Sequence, residues 1–277
     1  MRNILKLMLA STLLSMIGCS EKKPDAAKEQ SPSPQVVHEL QAPDSTGIRP
    51  PDWTWGMENH PLIKFHYQPT DTLQFYAADL LKKALEIYEF DCQVLNWKTP
   101  EPLEFYCYED IATLTRYTTS EEPFVLGNRI YYGYGPSFGR PFAEFVIANI
   151  PGGPTQFDFM KDGLPFLLDY SGRNYHHATN NFLVDGSIDP VASLVSNNEY
   201  QSLRETPRQI EAASLIAYLM WEYGNEKFMQ IYLSKKSFTE ALKEATGLTV
   251  DQLESQWHLF LPEHTVEKEE ARQGTPN

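Results

Sequence analysis

The chain is expected to fold as α+β, with a mixed α/β lobe carrying a small sheet followed by a mainly helical lobe. Three observations predict this. Short alternating apolar runs and one long amphipathic stretch interleave through the first half of the 277 residues. Helix-start signals follow one another in the last third. A polar, Pro-rich segment precedes residues 52–262 and a polar tail follows them, leaving a stretch long enough to bury one sizeable core.

The elements follow in order. Ile63, Phe65 and Tyr67 alternate with Lys64 and His66, which is the period of a half-buried strand. Leu73, Tyr76, Ala77, Leu80, Leu81, Ala84, Leu85 and Tyr88 then recur at i, i+3, i+4 spacing behind a Thr70-Asp71 start, predicting a long helix. Leu103 to Tyr108 alternates again, a short helix is expected around Ile111 to Tyr117, and Arg129 to Tyr132 reads as a further strand. Pro141 suits a first helical position, and Phe142 to Ile150 is apolar nearly all round, so a buried helix is expected there, ended by Pro151-Gly152-Gly153-Pro154. The stretch Ser171 to His177, rich in Gly, Asn and Tyr, reads as a loop.

Three capping boxes mark helix starts in the last third: Thr206 to Gln209, Ser237 to Glu240 and Thr249 to Gln252. Gly224 and Gly247 are the matching stops, and Pro262 closes the last helix. Ile210, Ala213, Ser214, Ala217, Met220 and Trp221 give the first of these helices an inner face. Leu253, Trp257, Phe260 and Leu261 do the same for the last.

The ends carry different information. Residues 1–18 combine a basic start at Arg2 and Lys6 with an apolar run from Leu7 to Ile17 and Gly18, the pattern of an export signal. That run falls short of the roughly 20 apolar residues that cross a bilayer. Gly18-Cys19-Ser20 resembles the lipobox of bacterial lipoproteins, with Met16 at the usual Leu position. The resemblance implies cleavage before Cys19, acylation of that residue (palmitate among the chains), and attachment to the membrane through the N-terminal lipid. Ser20 in place of Asp resembles outer-membrane sorting, which implies a cell-envelope location facing the periplasm. Three acyl chains, at about 0.8 kcal/mol per buried methylene, make such an anchor effectively permanent. Residues 19–51 are expected to be a flexible tether and 263–277 a disordered acidic tail. Between them, 52–150 forms the mixed lobe and 151–262 the helical one.

The formal net charge of −14 makes nucleic acid a poor partner. Cys92 and Cys107 are an even pair in an oxidising compartment, and their spacing fits one disulfide and two buried free thiols equally well.

Ala213 to Leu219, Glu222-Tyr223-Gly224, Phe238 to Leu242, Thr246-Gly247-Leu248 and Leu253 to Trp257 together resemble the C-terminal helices of the peptidase MA-like gluzincins, over roughly residues 60–261. In that family a His-Glu-x-x-His helix follows a strand. The two His bind zinc, the Glu activates the bound water, and a Trp-Leu-x-Glu-Gly helix supplies the third ligand. The resemblance sets the first motif on Ala143 to Ile147, where only Glu144 matches, and the second on Phe159 to Gly163, where Asp162 replaces the ligand Glu. Ala143 and Ile147 offer no donor atom to a metal. The resemblance therefore implies a pseudo-peptidase without zinc or other cofactor, whose groove binds a peptide or an envelope protein.

Other readings stand beside this one. An active zinc peptidase would need non-standard ligands, for which His176-His177 is the sole His pair, and adjacent residues point in different directions. A carboxylate pair of Glu144 and Asp162 for general acid/base chemistry competes with a Glu144 held by Arg140 or Arg173. Tyr131, Tyr132 and Tyr134, together with His176 and His177, are candidates for lining a cleft. Strand packing is the alternative for the tyrosines. A purely structural envelope component is the remaining alternative. Phosphate-binding loops have no support: Gly133-x-Gly135 and Gly152-Gly153 lack the strand-loop-helix setting with a following Lys.

Overall fold

The computed structural model describes residues 44, 46–98, 100–135 and 138–265. The predicted signal peptide, Cys19, most of the tether and residues 266–277 lie outside them. No helix among the described residues is long and apolar enough to cross a membrane.

The alternating runs form a five-stranded mixed sheet of order β1-β2-β3-β5-β4. Its strands are β1 (Gly56–Asn59), β2 (Ile63–Tyr67), β3 (Leu103–Tyr108), β4 (Phe124–Leu126) and β5 (Arg129–Gly133). The inner strands β2, β3 and β5 are parallel, and each edge strand is antiparallel to its neighbour. Helix α1 (Asp71–Val94) carries the chain from β2 to β3, and α2 (Ile111–Thr118) follows β3. Each starts on a side-chain cap. Thr70 accepts from Leu73 N–H and Asp110 from Thr113 N–H, satisfying donors that the first helical turn leaves free.

Strand alternation gives the sheet two different faces. Ile63, Phe65, Leu103, Phe105, Cys107, Ile130 and Tyr132 are all buried and face the main core. On the other face, His66, Tyr106, Tyr131 and Phe124 occupy one register row across four strands. Their rings stack in sequence at centroid separations of 4.4, 5.1 and 5.0 Å. Trp53 and Trp55 close over this row edge-on to Tyr117, Tyr108 and Tyr106. Ile48 packs with the same cluster, and Arg49 N–H donates to Tyr117 O at 2.7 Å. The fold thus begins inside the segment expected to be a tether, because the aromatic face of the sheet needs a cover.

The second part is helical: α3 (Arg140–Asn149), α4 (Asp158–Leu167), α5 (Tyr175–Val184), the short α6 (Val191–Val195) and α7 (Asn197–Tyr200), α8 (Glu205–Tyr232), α9 (Phe238–Thr246) and α10 (Val250–Phe260). One continuous core runs from Phe65 through Phe145 and Met160 to Trp257, so sheet and helices are packed as a unit. Helices α4 and α8 cross at Gly163, where a Cβ would lie 2.7 Å from Ala212 Cβ and 2.8 Å from its carbonyl carbon. Only a hydrogen fits there.

Two of the three capping boxes form, Ser237 with Glu240 and Thr249 with Gln252, and Gly247 ends α9 in the left-handed region at φ 83°. The Thr206 box does not form. Helix α8 starts at Glu205 behind Arg204, without a side-chain cap. The guanidinium of Arg208 instead reaches back to the carbonyls of Tyr200, Gln201 and Leu203 at 3.2, 3.1 and 3.3 Å and holds the turn from α7 into α8. Gly224 is a kink and not a stop: at φ 79° and ψ 162° it interrupts α8, which then resumes to Tyr232. The expected loop at 171–177 is half helix, since the Asn174 side chain accepts from His177 N–H and starts α5 at Tyr175. At the C-terminus a 3-10 turn, Leu261–His264, extends the fold beyond Pro262, and His264 stacks on Phe260 at 3.6 Å.

Cys92 and Cys107 are buried free thiols, so the disulfide reading is not realised. Cys92 lies in the last turns of α1, and Cys107 is on the core face of β3. Both pack as small apolar groups. Burial pushes the Cys92 thiol up to about 12 and raises Cys107 as well, which keeps both protonated.

Candidate functional site

Strand β5 leads directly toward α3, and the residues of interest lie on and around that helix. Ala143 and Ile147, one turn apart, point into the core at 0% and 7% exposure. Around them Phe142 packs on Phe105 at 5.1 Å, and Phe145 meets Tyr88 of α1 at 5.8 Å. These positions are filled by hydrocarbon and have no room for an imidazole. Glu144, turned the other way, is half-buried, and its carboxylate accepts from Arg140 Nε at 2.9 Å. Burial raises its pKa, and the nearby Arg140 charge opposes that rise. Of the two arginines named from the sequence, Arg140 is the partner, because it precedes Glu144 by one turn of the same helix.

Asp162, on α4, sits in different surroundings. Its carboxylate faces the Arg208 guanidinium at 3.9 Å. Burial raises its pKa, and Arg208 pulls it back. The charges acting on Glu144 are those of Arg140 and Glu122, and those acting on Asp162 are Arg208, Asp158 and Glu205. Each acid has its own arginine, so the structure does not bring the two together as an acid/base pair. Sequence reasoning missed Arg208. Its position inside an apparent capping box pointed to a helix start, and nothing in the local pattern announces a long-range ion pair.

A cleft of about 260 Å³ opens beside the first turn of α3. Tyr132, Gly135, Arg140 and Pro141 line one side, with Glu121 and Glu122 at the approach to β4. The Tyr132 hydroxyl donates to Gly135 O and accepts from Gly135 N–H at 2.9 Å, which fixes the turn that forms the cleft rim. Of the expected cleft residues, only Tyr132 lines this cavity. Tyr131 points to the opposite face of the sheet, as strand alternation requires, and is buried between Tyr106 and Phe124. Tyr134 lies beyond the end of β5 and is 38% exposed.

His176 and His177 are not at the cleft either. His176 Nδ1 lies 2.9 Å from Ser214 Oγ, and Trp257 Nε1 donates to the same oxygen at 3.2 Å. Its ring meets Phe260 edge-on at 5.0 Å. Burial pushes the His176 pKa down to about 4, so the ring is neutral and serves as a core contact. His177 is half-buried one residue further along α5. Among the described residues, no group of three or more His, Cys, Asp or Glu side chains is placed to hold a metal ion. The donor set around Ala143, Ile147 and Asp162 does not fit a zinc ion. No protein-family model matches the chain, and no curated protein matches it.

Proposed function

We propose that this protein is a lipid-anchored component of the cell envelope whose peptidase-like domain binds an extended peptide or a segment of an envelope protein without hydrolysing it. The observation that carries this reading is the filling of the positions where zinc ligands would stand: Ala143 and Ile147 are core residues, and Glu144 is tied to Arg140. A complete zinc site contributes on the order of 10–16 kcal/mol of binding free energy at neutral pH, and a single Asp162 already facing Arg208 retains little of it.

The cleft supplies the binding half of the reading. It adjoins β4, which is paired with β5 on one side only and leaves its other edge unpaired within the sheet. An extended segment gains main-chain hydrogen bonds at such an edge, while side chains enter neighbouring pockets. The anchor rests on Gly18-Cys19-Ser20 and the apolar run before it.

The test is a binding measurement on arrayed extended peptides with a cleft-filling variant as control. Gly135 suits this purpose, since a Cβ there meets only Gly133 O at 3.7 Å. Gly135→Trp is expected to fold normally and to lose the peptides that the parent protein retains intact. Cleavage of those peptides with stoichiometric bound zinc overturns the reading.

A further inference from the structure

We propose that the cleft beside α3 receives the side chain of a lysine or arginine from an extended peptide, its methylenes lying along Ile111, Pro123 and Pro141 and its charge meeting Glu121 and Glu122. The inference rests on the reading of this cleft as a peptide site and names the residue type that the site selects. The start of α2, the approach to β4, the end of β5 and the first turn of α3 together build the cavity. Close contacts hold these segments in place. A Cβ at Gly133 would stand 2.6 Å from Ile111 N, so β5 is pressed against the start of α2, and the Tyr132 hydroxyl holds Gly135 at 2.9 Å. The cleft is therefore formed before any ligand arrives, as most binding pockets are.

Size and lining select a long, slender side chain. The cavity of about 260 Å³ lies just under the roughly 300–1,000 Å³ that whole small-molecule ligands occupy. Ile111, Pro123, Pro141 and Tyr132 supply apolar walls, whereas Glu121 and Glu122 line the cavity and remain exposed to solvent. Lysine and arginine combine an apolar stem with a charged head that stays near water, which is what this lining accommodates.

The charge balance decides the sign of the ligand. Among the described residues neither Glu121 nor Glu122 forms a salt bridge. Arg140, the cation of the lining, is already engaged: its Nε donates to Glu144 at 2.9 Å, and its guanidinium lies over the Phe166 ring at 5.1 Å. The Glu122 charge also reaches Glu144 and adds to the rise in its pKa. Glu121, Glu122 and Glu144 thus stand against one guanidinium, and an added cation offsets the excess. The first turn of α3 does not favour an anion in its place. Pro141 has no N–H, and those of Phe142 and Ala143 both donate to Gly139 O at 3.0 and 3.2 Å. The net charge of −14 further opposes the approach of an acidic peptide.

The test uses the purified protein and the extended peptides it retains in the array, with affinity read by fluorescence anisotropy at low and high salt. Retained peptides are expected to carry a lysine or arginine. Replacing that residue by methionine, which keeps the length and removes the charge, should weaken binding about fivefold, the scale of one partly exposed ion pair. Added salt should weaken the basic peptide and leave its methionine form unchanged. Glu121→Gln combined with Glu122→Gln should reproduce the loss for the basic peptide and have no effect on the methionine form, which assigns the coupling to these two acids. Both side chains are exposed, so the variant is expected to fold as the parent does. A methionine peptide that binds as tightly as its basic parent, an affinity unchanged by the double variant, or retention of acidic peptides overturns this inference. If Gly135→Trp still abolishes binding in those cases, the peptide reading stands without it. Retention of no peptide at all overturns both.

Discussion

His176 and Ser214 join α5 to α8 through a 2.9 Å contact, and Trp257 of α10 donates to the same serine oxygen at 3.2 Å. Three helices therefore meet at one buried hydroxyl. With Trp257 as donor, the serine proton is free to point at His176 Nδ1, which requires a neutral imidazole carrying its proton on Nε2.

This contact predicts acid sensitivity. Burial depresses the His176 pKa to about 4, and the charge on nearby His264 depresses it further, whereas an unfolded histidine titrates near 6.5. The stabilisation is thus fully present above about pH 6.5 and is lost as pH falls through about 4. Urea midpoints should fall between pH 7 and pH 4.5, and the fall should be shallower in His176→Gln. An imidazole that titrates near 6.5 by NMR would contradict the buried placement.

Gly163 predicts a steric effect. Its hydrogen occupies the space where a methyl would meet Ala212 Cβ at 2.7 Å, with backbone atoms of Ala212 and Ala213 immediately behind. Gly163→Ala should lower stability by about 1–3 kcal/mol despite the better helix propensity of alanine, because α4 and α8 must separate. Chemical denaturation reads this directly, and an unchanged or raised midpoint would refute the close crossing.

Installing a His-Glu-x-x-His motif on α3 should fail. Ala143→His with Ile147→His places two imidazoles in a face of α3 that is 0% and 7% exposed. Overpacking at Ala143 and burial of unpartnered ring nitrogens should destabilise the protein by several kcal/mol, about 1–3 from packing alone. Thermal unfolding with and without zinc measures it. A stable variant that takes up one zinc ion would show that the pocket is vacant in its packing, contrary to the structure.

Much of the fold was legible in the residues. The alternation of Ile63, Phe65 and Tyr67, the i, i+4 pattern from Leu73 to Tyr88 and the Ser237 and Thr249 caps all predict what is found, because each rests on neighbours within one turn or one strand. The failures share the opposite property. Arg208 acts on carbonyls of the preceding segment and on Asp162, so Thr206-Pro207-Arg208-Gln209 imitates a capping box that never forms. Asn174, a sound cap, was hidden in a Gly-rich stretch, which concealed that His176 lies in the first turn of a helix. Ile48 gave no local pattern, and its place is set by the distant aromatic row of the sheet.

The candidate site divides in the same way. The chain alone determined that positions 143 and 147 carry no metal donor, that Glu144 has an arginine one turn away, and that the mixed lobe precedes the helical one. Each of these is a matter of side-chain chemistry or helical period. Only the tertiary structure decided that Glu144 and Asp162 hold separate arginines, that Tyr131 and Tyr132 serve opposite faces of the sheet, and that Cys92 and Cys107 stay unbridged. Those relationships join residues far apart in the chain, and they are set by how helices and sheet pack to exclude water, which no local pattern records.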